Sequence, residues 1–180
     1  MGAKVQTPAG HTAFWKSKTA LAGLSALILI AAVYFGKDLF KADPYPGVPK
    51  KAVAFFNKGT EALAQDSVEK ALNLFYKAIE LDASFADAQA KIAEGYFVAG
   101  LKHRAERNSK MADAMFEQSD VYVKKALSID SDNGAAHYVI GLMRNDKQDF
   151  DEAIRELEKA EARGVTTFEL HSMLGFLYNE

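Results

Sequence analysis

Glycine and alanine return along this chain at a fixed spacing. Gly59 stands 12 residues before Ala71 and Gly141 stands 12 before Ala153, and each alanine is followed seven residues later by another, Ala78 and Ala160. Gly175 follows Gly141 by 34 residues. From Ala52 onward apolar residues recur at helical spacing, interrupted by Gly or polar clusters about every fifteen residues, and no stretch alternates like a half-buried strand. Small residues at constant offsets let paired helices approach closely at the same place in each unit, and large residues fill the gaps between stacked pairs. Such a pattern predicts an all-α domain with an internal repeat.

These residues resemble the tetratricopeptide repeat, whose pattern is W-x2-L-G-x2-Y, then A-x3-F, then Pro. The first copy, residues 52–85, has Phe55 at the Trp place, Gly59 at the Gly, and Ala71 and Phe75 at A-x3-F, with departures at Lys58, Ala62 and Ala83. The second, residues 86–133, offers Ile92 and Ala93 for Leu-Gly, Tyr96 for Tyr, and a tail from Lys125 to Asp130. The third, residues 134–167, carries Ile140, Gly141, Ala153 and Ala160; a partial fourth, residues 168–180, carries Leu174, Gly175 and Tyr178. The resemblance implies an all-α solenoid of about three and a half repeats over residues 52–180.

Two irregularities stand out. The interval from Ala93 to Ala126 holds 14 residues too many, two heptads. Either both helices of the second pair lengthen by about two turns, or Gly100 ends one helix and a separate one follows. The extra stretch contains Lys102, His103, Arg104, Arg107 and Lys110, then Asp113, Glu117 and Asp120. It reads as a salt-bridged, solvated hairpin, or as a basic knob for an acidic partner or lipid headgroups. The second irregularity is the last helix, where Phe168, Leu170, Met173, Leu174, Phe176, Leu177 and Tyr178 leave almost no polar side. That surface is expected to belong to a fragment of something longer, or to be covered by a partner or by a second copy of the chain.

Ahead of the repeats, residues 19–36 form 18 residues without a charge, flanked by Lys16 and Lys18 before and Lys37 and Lys41 after. As a helix this spans roughly 27 Å, enough for a bilayer core. Trp15 on one side, with Tyr34 and Phe35 on the other, falls where interfacial aromatic belts lie. The stretch runs into Lys37 without a small-residue cleavage site, so an uncleaved anchor is expected rather than a signal peptide. Residues 1–18 form a tail, and residues 37–51 a linker in which three of the chain's four prolines fall within residues 43–49, favouring a short extended strut. Lysines on the two sides nearly balance. A signal-anchor placed this early favours a translocated domain, on a bacterial inner membrane facing the periplasm, with an organelle membrane as the alternative.

The chemistry that the residues exclude narrows the function. The chain of 180 residues has no cysteine, which removes disulfides, thiol nucleophiles and Cys-ligated metal. With 22 Lys+Arg against 24 Asp+Glu, a net charge of -2 gives no basic face for nucleic acid. No phosphate-binding glycine loop, H-E-x-x-H or G-x-S-x-G occurs. His137 and His171 lie one repeat apart and lack carboxylate or Cys companions in the sequence, so they read as helix-packing residues. Asp149 to Glu152 lacks the glycine and spaced oxygens of a calcium loop. No catalytic, cofactor or metal residues are expected.

In proteins with this repeat the first helices line a concave groove that holds a peptide or helix. The resemblance places Phe56, Thr60 and Leu63 there from the first copy, Ala90, Glu94, Phe97 and Val98 from the second, and Tyr138 and Leu142 from the third. Alternatively Phe56, Leu63, Phe97 and Tyr138 pack between neighbouring helices. Members that grip chaperone carboxyl termini present a basic, Asn-rich clamp; the matching residues here are Phe56, Thr60, Lys91, Ala135 and Val139, of which Lys91 alone fits. The groove is therefore expected to take an amphipathic helix or apolar peptide. A second interface is expected on the last helix, at Phe168, Leu170, Met173, Phe176 and Leu177, with self-association among its uses. The whole reads as a membrane-anchored scaffold or accessory subunit of a membrane complex; the alternative is a transient assembly factor.

Overall fold

In the computed structural model, residues 43–179 are described, and the expected anchor at residues 19–36 lies outside them. Among the described residues no helix is long and apolar enough to cross a membrane. The expected extended strut is instead bent. Asp43 Oδ1 accepts the Tyr45 N–H at 2.9 Å, and Gly47 sits at φ +90°, a value that favours glycine. From Gly47 onward the chain is one compact unit.

Seven helices follow: α1 Lys50–Ala64, α2 Val68–Leu81, α3 Ala86–Ala105, α4 Ser109–Ile129, α5 Gly134–Asp146, α6 Phe150–Ala162 and α7 Phe168–Leu177. They pair as hairpins α1/α2, α3/α4 and α5/α6, with α7 packed on α6. The same kind of contact recurs in each hairpin. A side chain added at Gly59 would lie 2.5 Å from the Phe75 ring, at Gly100 2.5 Å from Phe116, and at Gly141 2.7 Å from Leu157. The second helix thus lies against bare backbone of the first. In all three hairpins the large residue follows its glycine by 16 positions and an alanine, Ala71, Ala112 or Ala153, follows it by 12.

The turn joining the two helices repeats in the same register. Asp66, Arg107 and Gln148, each seven residues past its glycine, adopt the left-handed conformation at φ 56°, 61° and 61°. The next amide in each reaches back five residues, Ser67 to Ala62, Asn108 to His103 and Asp149 to Arg144, at 2.9–3.0 Å. This satisfies carbonyls that a helix end leaves open.

That register settles the first irregularity. Gly100 lies inside α3 and does not end it; α3 and α4 run 20 and 21 residues against 13 to 15 in the other two hairpins. The tip of the long hairpin is the ordinary turn of the other two. Its far end is ordinary as well, since Asp130 bonds Ala126 as Asp82 bonds Ala78. One heptad has been added within each helix, between a crossing at Gly100 and a second at Ala93, whose carbonyl accepts the buried Ser119 hydroxyl at 2.8 Å.

Hairpin stacks on hairpin through distinct seams. Phe56 of α1 meets the Phe75 and Phe85 rings at 5.9 and 4.9 Å. The Tyr76 and Tyr96 hydroxyls lie 2.7 Å apart beside the Tyr122 ring, joining α2 to α3 and α4. Three fully buried alanines, Ala90, Ala126 and Ala136, bring the third hairpin close to the second. Leu170, Leu174 and Leu177 of α7 close a cluster with Tyr138 and Leu157.

The crossings make a direct comparison possible. Gly59→Ala, Gly100→Ala and Gly141→Ala should each lower the unfolding free energy by about 1–3 kcal/mol through overpacking. Gly175→Ala, where a side chain would meet nothing within 4 Å, should raise it by up to about 1 kcal/mol through helix propensity. Urea unfolding of the full chain in mild detergent at low protein concentration, followed by circular dichroism, reads the sign of each.

Candidate functional site

The first helices α1, α3 and α5 pack side by side. Their exposed side is the candidate binding surface, and it differs in detail from the expected one. Four of the expected groove residues are interior. Phe56 is spent on Phe75 and Phe85, Ala90 on the alanine seam, Phe97 on the Phe116 ring at 5.7 Å, and Tyr138 on the terminal cluster. The packing alternative holds for Phe56, Phe97 and Tyr138, because each lies three residues before its crossing glycine and so points beneath the neighbouring helix.

Thr60, Leu63, Glu94, Val98 and Leu142 are half-buried. Leu101 joins them and was missing from the expectation. Thr60, Leu101 and Leu142 each lie one residue past a crossing glycine, so the three hairpins present a row at one level. The missed signal was Gly100 standing 12 residues before Ala112 and 16 before Phe116; using Ala93 as the register hid it. On α3 the open stripe is Glu94, Val98 and Leu101, spaced four and three apart on one helix face.

Polar groups frame this row. Lys91 Nζ is held by Glu94 at 2.6 Å with both side chains largely covered. The Tyr138 hydroxyl is pushed up to about 12, by burial first and then by the charges of Glu94 and Glu169, with the Thr167 side chain pulling the other way. At the tips, Lys102 pairs with Asp66 at 3.1 Å and Arg104 grips both oxygens of Asp146 at 2.8 and 2.5 Å, so two cations of the expected knob tie the long hairpin to its neighbours. A cleft of about 620 Å³ beside them, lined by Val68, Leu72, Ala99 and Met115, has a rim of both signs. Nothing there converges on one ligand chemistry.

The two histidines flank α6 from its two sides. His171 Nε2 lies 3.0 Å from exposed Glu161, and His137 Nδ1 lies 2.6 Å from Glu156, a buried carboxylate that also receives Lys159 at 2.6 Å. Burial pushes Glu156 upward, but the hydrogen bonds from Lys159 and His137 outweigh it, so the group titrates below its ordinary range. On α7, Leu170 and Leu177 are buried against the domain and Met173 is half-buried, whereas Phe168, Phe176 and Tyr178 are exposed. The expected terminal interface is thus split between a core-facing side and an open one.

No family model matches the chain, and no curated protein matches it. Solved structures do match. The first tetratricopeptide-repeat domain of Spaghetti (RPAP3), bound to the HSP90 peptide SRMEEVD, superposes with a TM-score of 0.52 at 18% identity, covering 72% of this chain and 94% of that one. The corresponding figures are 0.51, 19%, 72% and 96% for the tetratricopeptide-repeat domain of Arabidopsis OM64, and 0.52, 17%, 72% and 91% for the first such domain of human RPAP3. The likeness establishes the fold: the described residues form a helical solenoid like those of tetratricopeptide-repeat domains.

Because Glu156 has a depressed folded value, its contribution to stability is fully present above the ordinary carboxylate value of about 4.3 and is lost as the pH falls through the lower folded one. Glu156→Gln should flatten this acid limb, read as unfolding midpoints between about pH 7 and pH 3.

Proposed function

We propose that this protein is a membrane-anchored scaffold or accessory subunit that holds an apolar segment of a partner, an amphipathic helix or extended peptide, on the exposed side of α1, α3 and α5. The observation that carries the reading is the half-buried row Thr60, Leu101 and Leu142, flanked by Leu63 and Val98, at one level of three hairpins. Side chains half-withdrawn from water on a rigid surface offer apolar contact at little entropic cost on binding.

A basic clamp for a chaperone carboxyl terminus finds little support here. At the places that the repeat resemblance assigns to such a clamp, Phe56 and Val139 are buried, Thr60 is uncharged, Ala135 is apolar, and the one cation, Lys91, is neutralised by Glu94. The anchor reading rests on the uncharged residues 19–36 between lysines. Tethering at a membrane raises the effective concentration for partners in the same bilayer, so a modest groove suffices. The membrane we propose is a bacterial inner membrane, with the domain in the periplasm.

Charge is best introduced at Leu63 and Leu101, because Phe97 is interior and Phe97→Asp would unfold the domain. Affinity purification of the full-length protein from its native membranes in mild detergent should return a fixed partner at integer ratio. Leu63→Asp with Leu101→Asp should lose that partner while keeping helicity. A scatter of substoichiometric clients would support the assembly-factor reading, and retention of the partner by the double variant would move the site off this surface.

A further inference from the structure

The open side of α7 has a shape that specifies its own complement. Gly175 is the fourth glycine of the series, yet a side chain there would meet nothing within 4 Å, whereas Gly59, Gly100 and Gly141 are each covered by a large residue of an antiparallel helix. Phe168, seven residues earlier on the same stripe, is 82% exposed, and Phe176 and Tyr178, on either flank, are each 59% exposed. Ser172 between Phe168 and Gly175 is exposed and small.

The position seven residues before the glycine says what does not fit. In the three hairpins it is Ala52, Ala93 or Gly134: the alanines are fully buried, and a side chain at Gly134 would lie 2.8 Å from Arg163. A second helix like α2, α4 or α6 needs that place to be small. Phe168 would hold such a helix away. A helix that runs antiparallel, with a large residue opposite Gly175 and, seven positions further on, a small one opposite Phe168, fits this face. The stripe Phe168, Ser172, Gly175 read in reverse is that helix.

We infer that the open side of α7 is a two-fold interface with a second copy of this chain, in which Phe168 of each copy seats on Gly175 of the other. The axis passes between His171 and Ser172, so the small serine allows close approach at the centre. Both copies present the same patch, as an isologous contact requires. The interaction is the one that closes each hairpin, a large side chain over bare helix backbone, continued between molecules. A contact of one helix per copy is at the small end of specific interfaces, so the dimer depends on concentration. It is separate from the row on α1, α3 and α5 and survives if that reading fails.

Sedimentation of the full chain in density-matched detergent over a concentration series tests this. Wild type should dimerise. Gly175→Phe alone, with two large residues facing two, and Phe168→Gly alone, with two gaps facing two, should each weaken the dimer about tenfold or more. An equimolar mixture of the two single variants should restore it as a heterodimer, and Phe168→Gly combined with Gly175→Phe in one chain should restore the homodimer. A misfolded variant could not be rescued in either way. A wild type that stays monomeric overturns the inference and leaves the face to an unlike partner. Dimers indifferent to the single variants, or single variants that mixing does not restore, overturn it as well.

Discussion

The contact between a glycine of one helix and an aromatic or leucine side chain of the next decides how this molecule is built. A ring lying against helix backbone brings two helix axes closer than any ordinary side chain allows, and close axes leave little freedom in where the two can slide. Gly59 with Phe75, Gly100 with Phe116 and Gly141 with Leu157 set this distance three times. The left-handed turn seven residues past each glycine follows from it, because the chain must reverse at a constant height above the crossing. Level tips then let cations of one hairpin reach carboxylates of its neighbours, as Lys102 and Arg104 do.

The long middle hairpin shows how the constraint tolerates insertion. Seven residues span nearly two turns of helix, so a heptad added to each helix returns both to almost the same face. The crossing at Gly100 is preserved, and a second forms where Ser119 bonds the Ala93 carbonyl. Neighbouring hairpins still stack, through tyrosines on one side and buried alanines on the other. This puts Leu101 in line with Thr60 and Leu142 and gives the exposed surface an extra stretch at Glu94 and Val98 on α3.

Three buried polar groups follow the same economy. Glu156 lies on the buried side of α6 with His137 and Lys159 as partners, Asn133 caps α5 by accepting the Ala136 amide at 2.9 Å, and Ser119 spends its hydroxyl on a helix carbonyl. Each is satisfied locally, which leaves the surfaces of the first helices and of α7 to be defined by apolar shape.

The sequence by itself determined the helical class, the pairing of helices and the positions of two of the three hairpin glycines, Gly59 and Gly141, because glycine and alanine at constant offsets admit few packings. It also exposed the apolar character of α7. It did not determine which apolar residues stay available. Phe56, Phe97 and Tyr138 have the composition of a binding surface, yet each lies three residues before a crossing glycine and so turns beneath the neighbouring helix, while Leu101 turns outward. Phe168 and Leu170 are equally apolar in the sequence, but one is open and the other wholly buried. Burial is a property of the distance to another helix. That distance is set by contacts between residues far apart in the chain, so only the tertiary structure could decide it.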